Sequence, residues 1–199
     1  MMYIVRHGQT IWNLNRKKQG WKDSPLTVKG IKQAEEVAKL IRSEVKELEE
    51  YKIVISPLWR CRQFSSLLCE YAGLNYLDCL VEEGLKEHCY GMWEGLTELE
   101  IEDRFPGEME KRRTPENHWT YSVPMGESYD LLNRRVIRVL EKYKNEKVIF
   151  VCHEMVSKVI RGHYGDLENL KTTKLKHAQN KVYKLFDGQI EELTTTQEN

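Results

Sequence analysis

Apolar positions along this chain switch repeatedly between two periods. Tyr3, Ile4 and Val5 form a short strand-favouring run that ends on Arg6 and His7, with Gly8 allowing a change of direction. Over 27–48, Ile31, Ala34, Val37, Ala38, Ile41, Val45 and Leu48 recur at three- and four-residue steps between Lys and Glu, which predicts an amphipathic helix. IVIS at 53–56 predicts a second strand, and Leu58, Cys61, Leu68 and Tyr71 one face of a second helix that stops at Gly73. After a polar middle section, Leu131, Leu132, Val136, Val139, Leu140 and Tyr143 mark a helix, VIFVCH at 148–153 a strand, and Met155, Val156, Val159 and Ile160 another helix. KVYKLFDGQIEEL then places Asp187-Gly188 between two alternating runs, a hairpin signal, before a tail at 194–199 expected to fray. Strands alternating with helices predict a three-layer α/β/α sandwich around a mostly parallel sheet, with an antiparallel edge from the hairpin.

Composition narrows the picture without changing it. At 199 residues, with no low-complexity or Pro/Gly/Ser-rich divider, the chain is expected to be one domain over 1–199. Lys plus Arg and Asp plus Glu are 31 each, so there is no net charge to attract nucleic acid or an anionic membrane, and any basic site must be local. Five cysteines without CxxC spacing argue against a disulfide framework or a zinc ribbon and fit reduced thiols in the cytoplasm. No run approaches 18 apolar residues, and the N-terminus opens on a strand pattern, so neither a membrane span nor a signal peptide is expected.

Candidate chemistry collects where three strands end. In open parallel sheets, ligands bind beyond the carboxyl ends of the strands. YIV delivers Arg6 and His7 there, IVIS delivers Arg60 four residues later, and VIFVC delivers His153. Taken singly, a strand-end histidine is more often structural and an arginine more often a solvated surface group, which is the reading kept for His88, His118, His163 and His177. The repeated placement is what counts: two histidines and two arginines share one mouth with a single carboxylate, Glu87 in LKEHCYGMWEG, a charge pattern suited to a dianion. There is no HExxH, HxH, EF-hand loop or GxxxxGK[ST] loop, so neither a metal nor another cofactor is expected and side chains must do the chemistry.

RHGQTIWN at 6–13, QGWKDSPLTVKGIKQA at 19–34, SPLWRCRQ at 56–63, LKEHCYGMWEGL at 85–96, PMGES at 124–128 and VCHE at 151–154 together resemble the histidine phosphatase superfamily, in its phosphoglycerate-mutase-like branch. The resemblance runs in order over about four fifths of the chain. It implies that His7 is the nucleophile, attacking phosphorus as a neutral imidazole to give a phosphohistidine, its ring held by a backbone carbonyl near Gly8 or the 56–58 turn. It further implies a phosphate pocket of Arg6, Arg60 and His153 with Asn13 as a neutral donor, and Glu87 as the general acid. Gln19 and Gly20, with Gln9 and Thr10, fall in the loop that shapes the leaving-group side. Glu127 orienting an arginine and Ser128 capping a helix are weighed evenly against ordinary first-turn roles.

One position departs from the family's pattern: the residue after the second histidine is usually Gly, and here it is Glu154. A positive φ there would strain Glu, a carboxylate facing the pocket would repel phosphate, and one pointing away would simply open the next helix. Only about 28 residues separate Gly95 from Pro124, short for the insertion that encloses a mutase substrate, so the expected activity is a phosphomonoester phosphatase acting on a small phosphorylated metabolite. The alternatives are a phosphoglycerate mutase and a regulator that binds phosphate ligands without turnover. Trp12, Trp21, Trp93, Trp119 and Tyr121 are weighed as an apolar wall against a core role, and Lys111, Arg112 and Arg113 as a second anion contact against a solvated charge run. A homodimer is left open.

Overall fold

The chain runs β1 (Met2–Arg6), α1 (Ile11–Leu14), α2 (Val28–Glu44), β2 (Lys52–Ile55), α3 (Trp59–Ala72), β3 (Leu80–Val81), α4 (Glu98–Arg104), α5 (Glu108–Arg113), α6 (Tyr129–Tyr143), β4 (Val148–Cys152), α7 (Glu154–Tyr164), α8 (Asn169–Lys174), β5 (Lys181–Phe186) and β6 (Gln189–Thr194) in a computed structural model that describes residues 1–195. The six strands form one sheet in the order β3-β2-β4-β1-β5-β6. β3, β2, β4 and β1 are parallel, while β5 and β6 run antiparallel at one edge.

Alternation along each inner strand feeds two separate cores. Tyr3, Val5, Ile149 and Val151 face α2 and α3, whereas Ile4, Val148, Phe150 and Cys152 face α6 and α7. All five residues of β4 are buried, as expected of a strand covered on both faces, where each apolar side chain contributes about 1.5–3 kcal/mol. The result is the expected three-layer α/β/α sandwich. A third, smaller cluster of Trp93, Leu96, Ile101 and Val123 lies under α4 and α5, the segment between Gly95 and Pro124.

Boundaries moved where local geometry overrode the period. α2 stops at Glu44 because Val45 turns extended and Glu47 adopts the left-handed conformation, so Leu48 is buried from a separate turn. Gly73 ends α3 at φ 68°, with its N–H on the carbonyls of Cys69 and Glu70. The hairpin turns on Asp187 and Gly188, at φ 50° and 74°. Thr194 pairs with Lys181 and the Thr195 N–H donates to the Asn180 carbonyl, so the start of the expected tail is fixed to β5; residues 196–199 lie outside the described residues. Among the described residues no helix is long and apolar enough to cross a membrane.

Candidate active site

Register places the site. β1 and β4 pair Arg6 with Cys152, so the next residues, His7 and His153, emerge side by side, with ring centroids 5.1 Å apart. The His7 N–H also donates to the Cys152 carbonyl, which extends the pairing by one residue. Gly8 then leaves the sheet beside the start of α2, where a Cβ would come within 2.4 Å of the Gly30 carbonyl oxygen. Its role is close approach, and its φ is not in the left-handed region.

The two contacts of His7 fix its tautomer. Nδ1 lies 2.8 Å from the Gly8 carbonyl, which can only accept, so Nδ1 carries the proton. Nε2 keeps its lone pair and accepts from Arg60 Nε at 3.3 Å. Burial, then the charges of Arg60 and Arg6, push the pKa of His7 well below the ordinary imidazole range. The ring is therefore neutral, with Nε2 presented to the cleft.

Arg60 sits on the first turn of α3 and is nearly inaccessible. Its Nη1 donates to the Lys22 carbonyl at 2.9 Å and to Asp23 Oδ1 at 2.6 Å, and its Nη2 to the Gly20 carbonyl at 2.7 Å. Asp23 also does what the N-cap residue Leu58 cannot: its oxygens accept from the backbone N–H groups of Trp59 and Arg60 at 2.8 and 3.3 Å. One carboxylate thus caps α3 and pairs the buried guanidinium. Asp23→Ala is expected to cost about 3 kcal/mol, the sum of a lost cap and a buried charge left partly unpaired, read as a lowered urea midpoint at unchanged m-value.

Glu87 is held by backbone. Its Oε1 accepts from the His88 N–H at 2.9 Å and Oε2 from the Met155 N–H at the start of α7 at 3.4 Å. Burial raises its pKa, and the nearby Glu154 carboxylate adds to that, against the lowering by the His88 N–H and Arg60. The segment bearing it is clamped by Arg135 of α6, which donates to the carbonyls of Gly84, Lys86 and Glu87 at 2.8, 2.5 and 2.8 Å. Glu127 grips Arg135 in turn through two bonds of 2.6 and 3.1 Å, so it does orient an arginine, and Ser128 caps α6 through the Leu131 N–H.

These groups line a cleft of about 860 Å³ between the strand ends and α4–α5. Arg6, His7, Asn13, Gln19, Gly20, Arg60 and Glu87 all border it. Asn13 Oδ1 is taken by the Thr10 N–H and the Gln179 amide, at 3.1 and 3.0 Å. His153 is brought beside His7 and is fully buried, with Nε2 2.7 Å from Ser56 Oγ and Cys61 Sγ beside the ring. Of the five aromatic residues considered as a wall, Trp93 borders the cleft; of the three cations, Arg112 and Arg113 do, while Lys111 pairs with Glu108. Arg112 lies over the rings of Tyr90, Trp93 and Tyr129.

Asp23 and Arg135 were not legible as site residues, because each acts on a partner about 40 or more positions away that only the fold brings near. Glu154 is the first residue of α7 and is not among the positive-φ residues, so no such strain falls on it. Its carboxylate turns inward to Arg6, at 3.0 Å. Five free cysteines are present among the described residues, with no group of His, Cys, Asp and Glu arranged to hold a metal.

The family model of the histidine phosphatase superfamily, branch 1, matches residues 2–194. An uncharacterized phosphatase of Bacillus subtilis, PhoE, is 31% identical over 176 residues, covering 88% of this chain and 83% of its own. Escherichia coli GpmB, named a probable phosphoglycerate mutase, is 34% identical over 149 residues, or 72% of this chain and 63% of its own. The alpha-ribazole phosphatase structure from Shigella flexneri superposes with a TM-score of 0.79 at 19% identity, over 98% of this chain and 95% of that one. With its two strand-end histidines in register and a family match from β1 to β6, this chain belongs to branch 1 of the histidine phosphatase superfamily.

Proposed function

We propose that the protein is a phosphomonoester phosphatase acting on a small phosphorylated metabolite through a phosphohistidine on His7. The observation that carries this reading is the orientation of His7: Nδ1 spent on the Gly8 carbonyl, Nε2 unprotonated and facing a cationic cleft. In the first step Nε2 forms a bond to phosphorus as the P–O bond to the leaving group breaks, and protonated Glu87 gives its proton to the departing alkoxide. Arg6 and Arg60 hold the phosphoryl oxygens, with Asn13, Gln19 and Gly20 around them, and offset charge as the group moves. In the second step ionised Glu87 takes a proton from the water that attacks phosphorus, the P–Nε2 bond breaks, and neutral His7 is restored as inorganic phosphate leaves. His153 packs edge to face on His7 and completes the phosphate pocket beside it.

The mutase is kept as a second reading because GpmB matches over 72% of this chain. The short 96–123 segment favours the hydrolase. Five free cysteines fit a reducing compartment, so we place the activity in the cytoplasm.

The test is release of inorganic phosphate from p-nitrophenyl phosphate, sugar phosphates, nucleotides and 3-phosphoglycerate; isomerised 3-phosphoglycerate without release would select the mutase. Glu87→Gln separates the acid role from binding. It should lower kcat/KM for alkyl phosphates by about 100-fold and that for p-nitrophenyl phosphate far less, since that leaving group needs no proton, while loss of the base slows the second step alike for every substrate. The sign of the pH dependence follows. Glu87 must begin protonated and its pKa is raised, while neutral His7 resists protonation in acid, so kcat/KM for alkyl phosphates falls as pH rises through the Glu87 pKa and that limb is absent from Glu87→Gln.

A further inference from the structure

Glu154 spends both carboxylate oxygens on cations that border the cleft. Oε2 lies 3.0 Å from Arg6 Nη2 and Oε1 3.1 Å from Lys158 Nζ. Arg6 has one other hold, from Nη1 to the His177 carbonyl at 2.5 Å. Its Nε is buried and donates to nothing among the described residues. Nε and Nη2 lie on the same edge of a guanidinium, the edge that takes two oxygens of a phosphoryl group side by side. In Arg6, then, half of that edge has no partner among the described residues and half is filled by the chain's own carboxylate.

We propose that Glu154 is a built-in competitor for the phosphoryl group: it occupies the Nη2 end of Arg6 in the empty site, is pushed onto Lys158 alone when a phosphoryl group binds, and returns to expel inorganic phosphate. This rests on the phosphatase reading above and deepens it. The competitor is charged when needed, because Arg6 and Lys158 outweigh the effect of burial and hold the Glu154 pKa below the usual carboxylate range. Its retreat is prepared as well. Lys158 is one helical turn further along α7, its side chain is 12% exposed, and its Nζ is also held by the Thr173 carbonyl at 3.3 Å, so the cation stays in place while Glu154 swings.

A phosphoryl dianion wins the exchange because two of its oxygens engage both Nε and Nη2, whereas Glu154 engages Nη2 alone. Displaced Glu154 remains close to that dianion and repels it. The net effect is weaker retention of phosphate. That suits an enzyme that releases phosphate to water and would hinder one that must keep a phosphoryl group between two transfers. Glu154 acts through Arg6 and is a positioning residue.

The test is the affinity for inorganic phosphate, measured both as Ki against p-nitrophenyl phosphate and as Kd by calorimetry, in wild type, Glu154→Gln and Glu154→Gly. Both variants should bind phosphate about fivefold more tightly. KM should fall in step, and kcat should fall where product release limits it. Lys158→Met should move the other way, weakening phosphate, and that loss should shrink in the Glu154→Gln background. A purely structural role would shift Tm without tightening phosphate. Unchanged or weaker phosphate binding in whichever Glu154 variant keeps the wild-type Tm overturns the inference. Failure of the phosphatase reading looks different: wild type would then release no phosphate from any phosphomonoester tested, whatever its calorimetric affinity for phosphate.

Discussion

His7→Ala is expected to lower phosphate release by at least about a thousandfold while the protein stays folded. The magnitude follows from the two-step route: without Nε2 there is no covalent intermediate, and water must displace the leaving group directly. Little else should change. Arg6, Arg60 and Glu87 take most of their bonds from backbone and from Asp23, Glu154 and His177, so removing the imidazole leaves their positions set. Phosphate affinity should therefore stay within a few-fold of wild type. Acid-labile phosphate on His7 should be trapped by rapid quench in wild type and missing from the variant. Retention of more than a tenth of the activity by His7→Ala would place the nucleophile elsewhere.

Acid should unfold this protein unusually early. His7, His88, His153 and His177 are all buried, and burial depresses each pKa, in the case of His177 to about 3. A histidine depressed in the folded state adds stability that is complete above about pH 6.5 and is lost as pH falls below it, because the unfolded chain binds the proton and the folded chain does not. A histidine still neutral in the fold at pH 5, as His177 is, costs about 2 kcal/mol there, and His7, His88 and His153 act in the same direction, against a stability of about 5–15 kcal/mol for an ordinary domain. Glu87, raised in the folded state, opposes this, but it is one group against four. Urea midpoints should be flat from pH 8 to 7 and fall steeply from pH 6 to 5, with an uptake of three to four protons on unfolding.

His88→Phe isolates one of the four. Among the described residues neither ring nitrogen of His88 has a well-formed hydrogen bond, and the ring packs against Tyr90 and Tyr129. Phenylalanine keeps the ring contacts, so the variant should take up about one proton fewer and be more stable than wild type at pH 5. A midpoint independent of pH between 7 and 5 would mean that the buried rings titrate normally.

β1, β2 and β4 were readable because each is a short, nearly unbroken apolar run, and the long helices because one face repeats over several turns. The same physics explains what was not readable. β3 is two exposed residues, Leu80 and Val81, and α1, α4, α5 and α8 are too short for a period to show. At the site, the strand-end residues Arg6 and His7 follow from pattern. Asp23 and Arg135 follow from nothing local: Asp23 looks like one more loop carboxylate, and Arg135 is one of several arginines on a polar-faced helix. The position of His153 shows the same limit, since a strand pattern says where a side chain leaves the sheet but not how deeply its neighbours cover it.

The place of β1 in the sheet also governs how the molecule is made. It is the first strand in the sequence, yet its neighbours are β4, in register from Met2 with Val148, and β5, which pairs it through Val182 and Leu185. At about 5–20 residues per second, synthesis leaves β1 without either partner for roughly 10 to 30 s. Closing so long a loop also makes for slow folding. During that interval an apolar strand with two open edges is exposed to pairing with other chains. An N-terminal fragment carrying His7 but ending before β4 is thus expected to gather on chaperones or in aggregates, and never to show partial activity.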